Sequence, residues 1–217
     1  MTMKKYLALL KDYLQNNRHC WLALYVPVFL VLFFTVERLV PEDAAYWVSY
    51  LSLDDAIPFW EAFVIPYCLW YPYLVVTGLF LMFTDKDGFL KYMTFIIAGF
   101  TVSLLFCALV PNGQNLRPAF FERENVFIWL LGRIYAVDTC TNVFPSIHVV
   151  GCVAAVDAAF RSEKMRRFRF LSLLLAVLIS ASTVLVKQHS LLDVLGGVAL
   201  GTILYLFIYV IPWVRRR

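Results

Sequence analysis

The chain has 217 residues, 62% hydrophobic and 16% charged, with a net charge of +4. A soluble domain carries about 25% charged residues, so this composition excludes one and points to an integral membrane protein forming a single membrane domain over residues 1–217. The positive charge collects at the ends of apolar segments, which makes anionic headgroups its expected partner and gives no signal for nucleic acid.

Six apolar blocks follow one another: Cys20–Val36, Trp60–Thr84, Phe89–Val110, Phe144–Phe160, Phe170–Val186 and Leu191–Trp213. Each is close to the ~20 residues a helix needs to cross ~30 Å of hydrocarbon, so the expected fold is all-α, a bundle of six transmembrane helices. The first block follows Lys4, Lys5, Lys11 and Arg18 but is too long for a signal sequence, and is read as a retained helix. Placing both termini, the second–third loop and the fourth–fifth loop on one side collects fourteen of the nineteen lysines and arginines. The positive-inside rule then puts both termini in the cytoplasm of a cell or plasma membrane.

Residues 39–59 are polar and carry Glu42, Asp43, Asp54 and Asp55 among Trp47 and Tyr50, as an interfacial lid or a solvated loop would. The second block contains Pro66 and Pro72 among Tyr67, Trp70, Tyr71 and Tyr73, so its outer half is expected to kink or begin late. Its aromatic residues suit bilayer anchoring or a wall beside a headgroup site, and anchoring is the simpler reading.

The stretch 111–144 is the longest between spans, and it falls on the outer side. Within it Arg117 precedes Pro118, which biases the arginine to an extended backbone, and its planar fork suits phosphate or carboxylate oxygens. Arg123 lies between Glu122 and Glu124 and reads as self-neutralised. The fourth block opens Phe144-Pro145-Ser146-Ile147-His148. A proline-led first helical turn offers free N–H groups to an anion, and Ser146 adds a hydroxyl.

Lys187, His189 and Asp193 interrupt an otherwise apolar ending. An ionisable group near the middle of a bilayer costs on the order of 3 kcal/mol, so it is rare unless it faces a cavity or a partner. His189 and Asp193 are four apart, which on a helix places the carboxylate against the imidazole. Such a pair can hold the ring with Nε2 free as nucleophile or base, or can simply pin two helices together. Gly196, Gly197 and Gly201 follow at a spacing that permits close helix contact. The five cysteines form no C-x-x-C pair, and there is no H-E-x-x-H or cysteine ligand set, so no metal or cofactor is expected.

Arg117-Pro118, Pro145-Ser146-Ile147-His148 and Ser182 through His189 to Asp193 resemble, in order and spacing, the three motifs of the type 2 phosphatidic acid phosphatase superfamily: K-x6-R-P, P-S-G-H and S-R-x5-H-x3-D. The motif-bearing core is residues 110–193. Val110, Ile147 and Thr183 stand where the motifs have lysine, glycine and arginine, so two phosphate-binding cations are missing. The forms P-S-I-H and K-Q-H-x3-D look closer to the branch near inositol phosphorylceramide synthases.

The resemblance implies a membrane enzyme that acts on a phosphorylated lipid at the outer leaflet. His189 would form a phosphohistidine, Asp193 would orient it, and His148 would serve as acid and then base. Arg117, Ser146 and the helix amides would hold the phosphoryl oxygens. Lys187, four residues after Thr183, is expected to replace part of the missing charge if the helix continues through it. The leading expectation is a lipid phosphatase hydrolysing a phosphate ester or pyrophosphate. A phosphotransferase with a lipid or polyol acceptor, a phosphate-lipid binder and a transporter are the alternatives. A transport path predicts charges at several depths, whereas here Arg117, His148, His189 and Asp193 lie toward one side, with Asp157 near the other.

Overall fold

The computed structural model describes residues 15–39 and 46–211. Lys4, Lys5, Lys11, Glu42, Asp43, Trp213 and the three terminal arginines lie outside the described residues. Among the described residues five helical runs are long and apolar enough to cross a membrane: Arg18–Leu39, Glu61–Thr84, Lys86–Leu109, Glu163–Leu185 and Leu191–Val210. Their regular portions are α1 (Tyr25–Leu39), α2 (Val64–Thr84), α3 (Lys86–Leu109), α6 (Arg169–Leu185) and α7 (Leu191–Tyr205), with α4 (Val126–Tyr135) and α5 (Ile147–Arg161) between α3 and α6. This is an all-α polytopic bundle.

The expected fourth span is the exception in length. Helix α5 has 15 residues, about 22 Å at 1.5 Å per residue. It is the hub, packed by α2, α3, α6 and α7. Gly151, Ala154, Ala155, Ala158 and Ala159 are buried along it, and such small side chains let four neighbours approach one short helix. Two glycines of α7 face it. A methyl group at Gly197 would sit 2.8 Å from Val149 Cβ and 2.9 Å from Ser146 O, and one at Gly201 would sit 2.9 Å from Val153 Cγ1. Only glycine admits contact at that range.

Helix α2 begins late, as its prolines lead one to expect. A 3₁₀ turn at Glu61–Phe63 precedes it, and Pro72 lies inside the helix. At one end of the bundle a single residue separates α2 from α3, and Asp85 caps α3 by accepting from Gly88 N at 2.9 Å. Helix α1 packs against α3, where Tyr25 Oη lies 2.9 Å from Thr101 Oγ1 and the Phe29 and Phe100 rings are 4.9 Å apart.

At the opposite end of the bundle, β1 (Trp47–Val48) pairs in parallel with β2 (Asn112–Gly113), and Gly113 bridges antiparallel to Thr141. The 46–60, 111–125 and 136–144 segments are thereby drawn together across the bundle. Helix α4 interrupts what the sequence presents as one long loop. Asn125 caps it, accepting from Phe127 N and Ile128 N. Leu131 is fully buried in a cluster with Val64, Tyr67 and Val186. That apolar surface, supplied by two other helix ends, is what a ten-residue helix needs to be stable. Arg123 pairs with Glu61 at 3.6 Å at the exposed surface, so its partner is neither of its sequence neighbours.

Candidate functional site

His189 does not lie on a helix with Asp193. It occupies the turn between α6 and α7, where the amides of Gln188 and His189 both donate to Thr183 O, at 2.9 and 3.0 Å. Ser190 is the N-cap of α7, and Asp193 closes a capping box by accepting from Ser190 N at 2.8 Å. The same carboxylate oxygen lies 3.3 Å from His189 Nδ1. Asp193 is fully buried, so its remaining oxygen needs a donor. Ser49 supplies one, its hydroxyl donating to Asp193 Oδ1 at 2.5 Å.

His148, one residue into α5, completes a relay. Its Nδ1 lies 3.4 Å from His189 Nε2. With Asp193 accepting from His189 Nδ1–H, Nε2 is left as an acceptor, and the consistent assignment gives His148 a proton on Nδ1. The His148 ring is packed by Tyr67 and Trp70, at 4.7 and 4.4 Å between ring centres. Trp70 Nε1 also donates to His148 O at 3.1 Å. These two aromatics are buried supports of the histidine, and Tyr71, half exposed, is the one turned outward.

Ser146 is the N-cap of α5, so Pro145 precedes the helix instead of opening it. The Ser146 amide donates to Asp193 O at 3.2 Å, which ties the start of α5 to α7. Its hydroxyl is buried and has no partner among the described residues.

Lys187 departs from expectation. Helix α6 ends at Leu185, and Lys187 has a positive φ of 55°, so it shares no helical face with Thr183. Its ammonium donates to Asp54 O at 3.0 Å and Ile57 O at 2.6 Å. Burial pushes its pKa below the ordinary lysine value, against the pull of Asp54 and Asp55. The Asp54 side chain is itself buried and accepts from Leu191 N at 2.7 Å and Leu51 N at 2.8 Å. Segment 46–60 is therefore a strap bonded to the α6–α7 turn.

Arg117 is also committed to the protein. It stacks 4.1 Å over the Tyr135 ring. Its guanidinium donates to Tyr135 O at 3.3 Å, Asp138 O at 2.5 Å, Thr139 O at 2.7 Å and Gln188 Oε1 at 2.5 Å. Gln188 in turn donates to Asp138 Oδ2 at 2.9 Å, as does Tyr67 Oη at 2.6 Å. Gln114, fully buried, donates to Lys187 O at 2.9 Å. Ser49, Gln114 and Asp138 carry no motif signal, and Gln188 enters the sequence reading only as the middle residue of K-Q-H, with no role assigned.

A cavity of about 520 Å³ begins at His148 and His189 and runs between α1, α2 and α3 as far as Met82 and Phe89. The end that holds the histidines is bordered by Asp138, Thr139, Asn142 and Gln188, and the remainder is almost wholly apolar. A chamber with a polar, histidine-bearing head and a hydrocarbon-lined body suits an amphiphile.

Comparison with known proteins finds a match to the family model described as the PAP2 superfamily, over residues 89–217. No curated protein and no solved structure matches the chain.

Proposed function

The chain belongs to the PAP2 superfamily, and on that premise we propose that it transfers the phosphoryl group of a phosphate-ester lipid through a phosphohistidine on His189, at the extracytoplasmic face of the membrane. The observation that carries this reading is the buried relay from Asp193 through His189 to His148, with contacts of 3.3 and 3.4 Å, placed at the head of the apolar cavity.

In this mechanism Asp193, held by Ser49 and Ser190 N, fixes His189 with Nε2 toward the substrate. A phosphoryl group entering the head of the cavity parts the two imidazoles. His189 Nε2 attacks phosphorus, and His148, acting as an imidazolium protonated on both ring nitrogens once the anionic phosphoryl group is beside it, gives its Nδ1 proton to the departing oxygen. His148 is then neutral and takes the proton of the incoming hydroxyl, from water in a phosphatase or an alcohol in a transferase. The Ser146 hydroxyl, buried and without a partner among the described residues, would donate to a phosphoryl oxygen. Arg117 acts at one remove, by bracing Gln188 and the 135–139 segment. The outward placement of the site rests on the distribution of basic residues.

The test is phosphoenzyme trapping with radiolabelled lipid. Wild type and His148→Ala should form an acid-labile, base-stable adduct, discharged slowly in His148→Ala. His189→Ala should form none. An adduct that persists in His189→Ala removes this residue from the nucleophile's role.

A further inference from the structure

The head of the cavity is short of positive charge, and the shortage bears on the substrate. Among the described residues no lysine or arginine borders the cavity, while one carboxylate, Asp138, does. The nearest cations in sequence are bound elsewhere, Arg117 to carbonyls and Gln188, and Lys187 to the strap. Val110 and Thr183 supply none. The two hydrogen bonds that Asp138's carboxylate accepts both end on Oδ2, from neutral donors. Among the described residues it has no ion-pair partner.

A phosphomonoester carries nearly two negative charges at neutral pH, since its second ionisation falls near pH 6. Placing it beside an unpaired carboxylate in a site with no bordering cation sets like charges against each other in a poorly hydrated space. A phosphodiester carries one charge, and an ammonium on its headgroup would meet the carboxylate. The Tyr71 ring borders the same cavity and offers a second surface for a cation.

We infer that the site selects a zwitterionic phosphodiester lipid, its ammonium paired with Asp138 and its hydrocarbon in the cavity between α1, α2 and α3. The inference rests on the phosphohistidine reading above. On such a lipid the His189 Nε2–P bond forms as one P–O ester bond breaks, and His148 protonates the departing alkoxide. The other ester oxygen stays on phosphorus. A hydroxyl of water or of an acceptor alcohol then attacks phosphorus, yields its proton to His148 and breaks the N–P bond.

The experiment uses the full chain in vesicles containing, at matched acyl chains, phosphatidylethanolamine, phosphatidylglycerol or phosphatidic acid, with consumption followed by phosphorus NMR. Phosphatidylethanolamine should be consumed at least about tenfold faster than phosphatidic acid, with phosphatidylglycerol also disfavoured for want of a cation. Asp138→Asn should shrink the ratio by about tenfold, while Asp138→Glu should keep the preference. Phosphatidic acid consumed as fast as phosphatidylethanolamine by wild type overturns the inference and leaves the phosphohistidine intact. An unchanged ratio in folded Asp138→Asn also overturns it. Failure of wild type to consume any of the three or to form a phosphoenzyme overturns both readings.

Discussion

Ser49 and Asp193 lie 144 positions apart and are joined by a hydrogen bond of 2.5 Å, both side chains fully buried. The bond crosses from the strap that follows α1 to the first turn of α7. It supplies the donor that one oxygen of a buried carboxylate requires, while His189 and Ser190 N share the other oxygen. In the proposed mechanism Ser49 is therefore a positioning residue for His189, acting through Asp193.

Ser49→Ala should lower kcat by about tenfold and leave KM within about twofold, because the interaction serves orientation and not lipid binding. Steady-state kinetics on a lipid substrate check this. A raised KM at constant kcat would assign Ser49 to substrate contact instead.

Arg117→Lys separates two roles. A lysine can still offer charge to phosphate, but it cannot reproduce a planar fork that meets Gln188, three carbonyls and the Tyr135 ring. The expected outcome is a loss of about 2 kcal/mol or more of stability, read as a lower midpoint of thermal unfolding in detergent. Lost activity at an unchanged midpoint would return Arg117 to the role of phosphate clamp.

Lys187→Met should leave kcat within about threefold, in contrast to the ~10²-fold loss that removing a transition-state donor brings. It should lower stability by about 1–3 kcal/mol, since Asp54 O and Ile57 O lose their charged donor. The pH dependence has a definite sign. With the folded pKa of Lys187 below 10.5, the unfolded chain binds more protons just below that value, so this group makes stability rise with pH there. Unfolding midpoints measured between the folded pKa and 10.5 should show that upward component in wild type and lack it in Lys187→Met.

The sidedness of the site is open to thiol labelling. Ser190, at the heart of the candidate site, is fully buried and a poor reporter, whereas Phe120, in the 111–125 segment at the same end of the bundle, is 75% exposed. Phe120→Cys, in a background without the five native cysteines, should react with an impermeant reagent added to intact cells. Reaction only after permeabilisation would reverse the proposed topology.

Membrane class, the approximate spans and the three motif-bearing segments could all be read from the chain. Hydrophobic run length is a local property, and the spacing of Arg117, His148, His189 and Asp193 survives whatever the helices do. The glycines of α7 were legible for the same reason, their spacing stating in advance that a neighbour comes close. Helix α5 kept its place in the order, but its short length makes sense only with four helices around it.

The rest depended on partners far away in the chain. Helix α4 exists because Val64, Tyr67 and Val186 give Leu131 somewhere to bury. Tyr67 and Trp70, which composition alone assigns to the bilayer interface, turn inward because α5 brings the His148 ring between them. The direction of Lys187 was set by a backbone turn at φ 55° and by two carbonyls of the strap, neither of which its spacing from Thr183 or His189 can express. Ser49 and Asp138 bear no motif at all. Each acquires its meaning from a buried or cavity-facing group contributed by another segment, and a hydrogen bond of that kind is a property of the assembled bundle.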